Sequence, residues 1–154
     1  MRTIPLTQNE FATVCDCHYD LVSSYKWTLF FVKGKKYAFR QENDKSILMH
    51  RIIAGTKKGF YTDHKDDDGL NNQCSNLRIA TNAQNMQNVG PHKNNTSGYK
   101  GVCWVKSGKH WRASIRHNGR RYHFNKLGTA QEAAAIYSAL AAMLHGEFAH
   151  GESV

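Results

Sequence analysis

The chain has 154 residues, of which 40% are hydrophobic and 11% aromatic, so it can bury a core and is neither a disordered tail nor a collagen-like chain. Its formal net charge of +9 favours an anionic partner, with nucleic acid as the leading candidate. Its longest apolar stretch, residues 27–32, is far shorter than the roughly 20 residues of a membrane span, and no signal-peptide core opens the chain, so we expect a cytoplasmic protein without membrane contact.

The first soft metal ligands in the chain are Cys15, Cys17 and His18, and two further cysteines, Cys74 and Cys103, follow at distant positions. Without an export signal the cysteines are expected to stay reduced, so we do not expect a disulfide. Zinc is an alternative, because thiolates and imidazoles are its ligands. The later cysteines lack the paired knuckles of structural zinc sites, and the sequence therefore favours free thiols over zinc.

The N-terminal half contains two β-prone runs and a short helical segment. Residues 26–31 and 36–40 flank Lys33-Gly34-Lys35, which predicts a β-hairpin. Residues 47–54 are apolar at helical positions and end at Gly55, which predicts a short helix.

A strand, turn, strand and helix follow in order. Residues 60–63 and 76–80 predict two short strands around an Asp-rich turn. Thr81 can cap a helix that reaches about residue 87.

The C-terminal half follows a predicted linker of turn-forming residues at 88–98. Residues 99–105, 110–116 and 120–124 predict a three-stranded antiparallel sheet, with Asn118-Gly119 as one hairpin turn.

A helix is predicted after the sheet. Thr129 and Glu132 form a capping box, and small or apolar residues recur at helical spacing until Gly146. Its Ala-rich side needs a partner, and the apolar face of the sheet can cover it.

The other face of this sheet is a candidate nucleic-acid surface. Every basic residue beyond position 94 lies between Lys100 and Lys126, a stretch without Asp or Glu. On the middle strand Arg112, Ser114 and Arg116 alternate with apolar residues, so the polar set shares the outer face.

The Asp-rich turn, residues 62–78, admits three interpretations. A calcium loop is rejected, because aligning Gly69 with the invariant glycine places His64 and Ser75 at the end-ligand positions. A polar hairpin loop is the simplest interpretation. A metal-assisted phosphodiesterase is the third, because His64 can activate water and the carboxylate of Asp63 suits Mg²⁺.

The spacing of Asp63-His64, residues 68–72, residues 75–78 and Gln84-Asn85 resembles the HNH nuclease family with its ββα-metal motif, in the phage and homing-endonuclease branch that has Asn in place of the last His. The resemblance implies His64 as general base, Asn76 as the residue that hydrogen-bonds its imidazole, and Asp63 with Asn85 as metal ligands. Because adjacent strand residues face opposite sides, Asp63 and His64 can share a site only where the strand ends or bulges.

Three features surround this motif. Asp67 stands at a turn position that often holds Gly in the family, and Gln73-Cys74 replaces what is commonly a basic pair. His50 and Arg51 resemble a recurrent upstream element, which implies either a structural role or a phosphate contact.

The second half resembles the apetala (ethylene-response-factor) DNA-binding domain found fused to phage HNH nucleases. The residues that carry this resemblance are Ser97-Gly-Tyr-Lys-Gly-Val102, Trp111-Arg-Ala-Ser-Ile-Arg116 and His145-Gly-Glu-Phe148. The resemblance implies that the sheet enters the major groove. The DNA-contacting residues that it implies are Lys100, Arg112, Ser114, Arg116, Arg121 and His123.

We therefore predict an α+β protein: an N-terminal β-hairpin with a ββα-metal nuclease unit, then a three-stranded antiparallel sheet packed on one helix. The expected function is a DNA endonuclease that uses one Mg²⁺ or Mn²⁺ ion per site, acts as a monomer or homodimer on double-stranded DNA, and works in the bacterial host cytoplasm if phage-encoded. The alternative is a DNA-binding regulator with an inactive nuclease unit. The expected segments are 1–46 (β-rich), 47–88 (nuclease unit), 89–98 (linker) and 99–150 (DNA-binding domain).

Overall fold

Short strands and helices alternate through residues 1–150, the part of the chain that the computed structural model describes. The chain divides into an N-terminal unit, Met1–Met86, and a C-terminal unit that begins at Gln87. The elements that begin before this boundary are β1 (Arg2–Pro5), β2 (Phe11–Val14), α1 (Asp16–Ser23), β3 (Thr28–Val32), β4 (Lys35–Glu42), β5 (Lys45–Leu48), α2 (Met49–Ile53), β6 (Tyr61–His64), β7 (Asn71–Asn72), β8 (Leu77–Ala80) and α3 (Asn82–Asn88), whose last two residues lie beyond it.

These strands form three small sheets. β3, β4 and β5 are antiparallel neighbours, β6 pairs antiparallel with β8, and β2 lies between antiparallel β1 and parallel β7. The predicted strand, turn, strand and helix are thus present as β6, β8 and α3.

The predicted hairpin is confirmed and extends into a third strand. Its turn consists of Lys33 and Gly34, both with positive φ, as a two-residue type I′ turn requires. Asn43 and Asp44 adopt the same conformation between β4 and β5. The helix predicted over residues 47–54 begins only at Met49, because residues 47 and 48 belong to β5 and pair with β4.

One apolar core joins the first 46 residues to the ββα unit. Residues from β1, β2, α1 and the hairpin bury their side chains with those of α2 and of the turn between β6 and β8. The core members are Ile4, Leu6, Ala12, Val14, Val22, Trp27, Leu29, Ala38, Met49, Ile53, Leu70 and Leu77.

Cys15 and Cys74 are joined in a disulfide, so the expectation that all four cysteines stay free is wrong for this pair. Cys15 follows β2 and Cys74 follows β7. The parallel pairing of these strands places the two Cα atoms 6.3 Å apart although 59 positions separate them in sequence. Cys17 and Cys103 are free.

The C-terminal unit is the predicted three-stranded sheet with a helix, and the α+β class is confirmed. Its strands are β9 (Val102–Val105), β10 (His110–His117) and β11 (Arg120–Leu127), in the order β11, β10, β9. α4 (Ala130–His145) packs its small residues on the face that carries Ala113 and Ile115. The backbone N–H of Glu132 donates to the Thr129 hydroxyl at 3.0 Å, which caps the helix as predicted.

None of the helices within residues 1–150 is long and apolar enough to cross a membrane.

Candidate functional site

His64 lies at the end of β6, beside Asp63, and both side chains are buried, at 6% and 5% exposure. Across the ladder Asp63 faces Arg78 and His64 faces Leu77 without a register shift. The strand ends at His64, and this is one of the two ways in which adjacent strand residues can share a site.

Asn72 fixes the orientation of the His64 ring. The Asn72 Nδ2 donates to the Leu70 carbonyl at 3.2 Å, which leaves its Oδ1 toward His64 Nε2 at 3.3 Å. An amide oxygen only accepts, so Nε2 carries the proton and the lone pair lies on Nδ1. A neutral imidazole held in one tautomer suits a general base.

Asn76 does not make the expected bond to His64; the structure gives that contact to Asn72. Its amide instead donates to Asp66 Oδ1 and to the Asn71 carbonyl, both at 2.8 Å, and accepts from the Asp66 backbone N–H at 3.1 Å. These three bonds use the amide to hold the turn between β6 and β7. Asn76 therefore positions the loop rather than the ring.

His50 and Tyr37 form an aromatic wall around His64. The His50 ring meets the His64 ring edge-on with centroids 5.0 Å apart, and Tyr37 lies 5.5 Å from His50 and 6.0 Å from His64. His50 is 7% exposed, and no described residue hydrogen-bonds its Nδ1. A buried polar atom without a partner is costly, so this nitrogen has an unmet bonding capacity beside the candidate base.

Burial is the main cause that keeps both imidazoles neutral. It lowers the pKa of His64 below its usual range, while the hydrogen bond with Asn72 and the nearby carboxylates act in the opposite direction. The pKa of His50 is lowered to about 3, first by burial and then by His64 and Arg51. At neutral pH the candidate base is therefore in its proton-accepting form.

Asp63 forms a buried ion pair with Arg78. The guanidinium approaches the same carboxylate oxygen, Oδ2, through Nε at 2.7 Å and Nη2 at 2.6 Å. Asn85 lies on α3, which follows β8 directly after Thr81. Carboxylate and amide oxygens are hard donors of the kind that Mg²⁺ prefers, so the donor atoms of Asp63 and Asn85 fit a magnesium site in their chemistry.

Arg51 supports a loop in this structure. Its guanidinium donates to the backbone carbonyls of Thr56, Lys57 and Phe60 at distances from 2.9 to 3.3 Å. Of the two residues predicted as phosphate contacts, His50 is thus the one beside His64.

Tyr37 and Asn72 are site residues to which the sequence analysis assigned no role. Asn72 belongs to residues 68–72, which carry part of the family resemblance, but the resemblance did not identify it as a partner of His64. Tyr37 belongs to a hairpin strand that is remote in sequence, and no local pattern places it at the site. Burial raises the pKa of Tyr37, so its hydroxyl is a neutral donor.

The outer face of the C-terminal sheet carries five of the six predicted DNA contacts. Cross-strand pairs join Ser114 to His123 and Arg116 to Arg121, and Arg112 lies opposite Cys103. Lys100, the sixth predicted contact, lies before β9, and its side-chain amine donates to the Gln87 carbonyl.

Two curated relatives match the chain. An uncharacterized HNH endonuclease of Acanthamoeba polyphaga mimivirus is 38% identical over 146 residues, which cover 90% of this chain and 73% of that protein. Protein 3.8 of Escherichia phage T7 is 38% identical over 92 residues, which cover 60% of this chain and 75% of that protein. No family model matches the chain. No solved structure matches it either.

Proposed function

The chain belongs to the HNH endonuclease family, and from this premise we propose that it is a metal-dependent endonuclease that hydrolyses phosphodiester bonds in double-stranded DNA. The observation that carries the proposal is the buried His64, which burial keeps neutral and which Asn72 holds in one tautomer, beside the carboxylate of Asp63.

In this proposal His64 is the general base. Its Nδ1 lone pair accepts a proton from the attacking water, and Asn72 holds the ring so that the lone pair is on the right nitrogen. Asn76 is a positioning residue that fixes the loop around the base. Cleavage would leave a 5′-phosphate and a 3′-hydroxyl.

Asp63 and Asn85 would hold one Mg²⁺ or Mn²⁺ ion, which stabilises the charge that develops on the phosphate and the leaving oxygen. The guanidinium of Arg78 contacts Oδ2 of Asp63 through two nitrogens, which fixes the orientation of this buried carboxylate. The unpartnered Nδ1 of His50, in the tautomer that protonates it, would donate a hydrogen bond to a phosphate oxygen next to the base.

The C-terminal sheet would dock the nuclease on DNA in the manner of an apetala-type domain. Its outer face presents Arg112 together with Arg116 and Arg121, which are cross-strand partners, and arginines suit phosphate and guanine recognition. One active site per chain predicts nicking by a monomer, and double-strand cleavage would need a homodimer or a second binding event.

The test is a plasmid-cleavage assay on supercoiled DNA with the full chain, in Mg²⁺ or in EDTA, with His64→Ala alongside. His92→Ala is the matched control, because His92 is an exposed histidine. We expect metal-dependent nicking that His64→Ala lowers by at least about 100-fold and His92→Ala leaves unchanged.

Cleavage by His64→Ala at the wild-type rate would remove His64 as the base. If neither the wild-type chain nor a variant cleaves DNA, but all of them retard the same DNA in a gel, a DNA-binding regulator with an inactive nuclease unit becomes the better description.

A further inference from the structure

Four metal-ligating side chains that the proposed nuclease chemistry does not use lie together in the N-terminal unit: Cys15, Cys17, His18 and Cys74. One ligand atom from each lies within 4.8 Å of the other three. Among residues 1–150 this is the only such group of His, Cys, Asp and Glu side chains.

The strand pairing explains why residues so distant in sequence meet. The parallel ladder joins Thr13 to Asn71 and Val14 to Asn72, so the residues that follow β2 and β7 emerge at the same end. Cys15 follows β2 immediately, and the first turn of α1 adds Cys17 and His18. Cys74 comes from the chain after β7, and its backbone N–H donates to Cys15 Sγ at 2.7 Å.

The distances suit a tetrahedral ion. Cys17 Sγ lies 3.7 Å from Cys74 Sγ, and His18 Nδ1 lies 3.2 Å from Cys17 Sγ and 3.1 Å from Cys74 Sγ. Zinc with bonds of about 2.3 Å to sulfur and 2.0–2.1 Å to nitrogen separates its ligands by roughly 3.5–3.8 Å. Small side-chain shifts are enough for these three ligands.

We propose that Cys15, Cys17, His18 and Cys74 form a structural Zn²⁺ site that clamps the start of α1 to the loop after β7. Three thiolates and one imidazole are soft donors that select zinc over the magnesium proposed for Asp63 and Asn85. Four protein ligands complete a tetrahedron, so no position is left for a substrate or a reacting water.

Zinc binding and the Cys15–Cys74 disulfide exclude each other, because zinc needs both sulfurs as thiolates. Opening the disulfide takes two electrons and two protons from a dithiol reductant, which becomes a disulfide itself. The two thiols then release those protons as they bind the ion. The site therefore fills in a thiol-reducing compartment.

The clamp lies close in sequence to the proposed catalytic loop. Cys74 is two positions from Asn72, which contacts His64, and two positions from Asn76, which holds the turn. A filled zinc site would therefore hold the segment that orients the base. The site stands independently of the nuclease assignment, since its evidence is the ligand geometry alone.

The test measures zinc directly in the full chain purified with a phosphine reductant and without added metal. We expect about one zinc per chain by mass spectrometry of the metal, with less than a tenth of that in Cys17→Ser and in His18→Ala. Cys103→Ser and His92→Ala are the matched controls, and both should keep the metal, because neither residue belongs to the cluster.

Cys17→Ser is the decisive variant, because Cys17 is outside the disulfide. A zinc clamp predicts that this change removes the metal and lowers the melting temperature, whereas a disulfide clamp predicts no effect. If variants fail to fold, a melting curve of the wild-type protein with EDTA, then with Zn²⁺ restored, gives the same answer.

Zinc-free protein in which only two thiols titrate, even after purification with the phosphine, would overturn the proposal in favour of a disulfide that resists reduction. Zinc-free protein with four thiols would overturn it in favour of an unoccupied cluster. Neither result depends on DNA cleavage, so each is distinguishable from failure of the proposed function.

Discussion

At the residue scale, the buried amide of Asn72 sets the tautomer of the His64 ring. Asn72 is fully buried, and its two hydrogen bonds connect the ring to the Leu70 carbonyl. Asn72→Ala removes the hydrogen bond that sets the tautomer of the ring and one of the two hydrogen bonds that the Leu70 carbonyl accepts.

We expect Asn72→Ala to lower the cleavage rate by about 10- to 100-fold, the usual effect of losing a group that orients a catalytic side chain. The measurement is single-turnover nicking of supercoiled DNA at saturating protein. Asn94→Ala removes an exposed amide and should leave the rate unchanged. Equal rates for wild type and Asn72→Ala would show that the ring is oriented by something else.

His50 makes the fold sensitive to acid. Its pKa is about 3 in the folded chain and near 6.5 when unfolded, so only the unfolded chain takes up the proton between these values. The free energy of unfolding should therefore fall as the pH drops below about 6.5, by up to about 1.4 kcal/mol per pH unit.

His50→Gln should lose part of this acid sensitivity. Urea unfolding of metal-free protein measures the free energy of unfolding at about pH 7.5 and about pH 5.5. The decrease in this free energy between the two pH values should be roughly 1 kcal/mol smaller for His50→Gln than for wild type. His92→Gln, on an exposed histidine, should behave as wild type. If the free energy of unfolding decreased equally in wild type, His50→Gln and His92→Gln, His50 would have to be protonated in the folded chain.

The residue scale also shows where sequence reasoning stops at the site. His64 and Asp63 can be identified because their spacing relative to Asn76 and Asn85 is local and characteristic. The resemblance also singles out His50, but Tyr37 and Asn72 meet His64 through packing of the hairpin and the turn, which no local pattern encodes. The resemblance implies Asn76 as the partner of the imidazole, where the structure has Asn72.

At the scale of secondary-structure elements, the sequence predicts those elements whose formation depends on neighbouring residues. Three two-residue hairpin turns have positive φ at both positions, and two of them, Lys33-Gly34 and Asn118-Gly119, are predicted by their composition. By contrast, no sequence pattern predicts β1, β2, α1 and β7. β2 and β7 pair across more than fifty intervening residues, and each is too short to show a period of its own.

The Tyr137 ring of α4 packs directly against the backbone of Gly101, the residue before β9. It has a φ of 70°, and a Cβ there would overlap the Tyr137 ring and lie 2.7 Å from the Ser114 carbonyl oxygen. Gly101→Ala should destabilise the C-terminal unit by about 2–4 kcal/mol, from left-handed strain together with overpacking.

Gly119→Ala is the matched control, because Gly119 also has a positive φ but has open space around its missing Cβ. It should cost only about 1–2 kcal/mol. Hydrogen exchange of peptides from α4 in the full chain measures the difference. Equal protection of α4 in the two variants would mean that Tyr137 moves aside without cost.

At the scale of the whole molecule, the charges of the two units differ. Asp63, Asp66, Asp67 and Asp68 lie in or next to the loop around the proposed base, and carboxylates there repel a phosphodiester. The basic stretch from Lys100 to Lys126 contains no acidic residue. We therefore expect the C-terminal unit to supply most of the affinity for DNA.

The salt dependence of DNA binding tests this division. Replacing Arg112 and Arg116 together by Ala should weaken binding and reduce the slope of log affinity against log salt by about 0.9 for each phosphate that the variant no longer neutralises. Lys26→Ala with Lys45→Ala is the control, because it removes the same charge from exposed positions of the N-terminal unit.

If binding resulted from net charge alone, both pairs of substitutions would lower the slope equally. If the sheet docks on DNA, only the arginine pair lowers it. An unchanged slope for the arginine pair would mean that these side chains neutralise no phosphate, and the docking surface would then have to lie elsewhere.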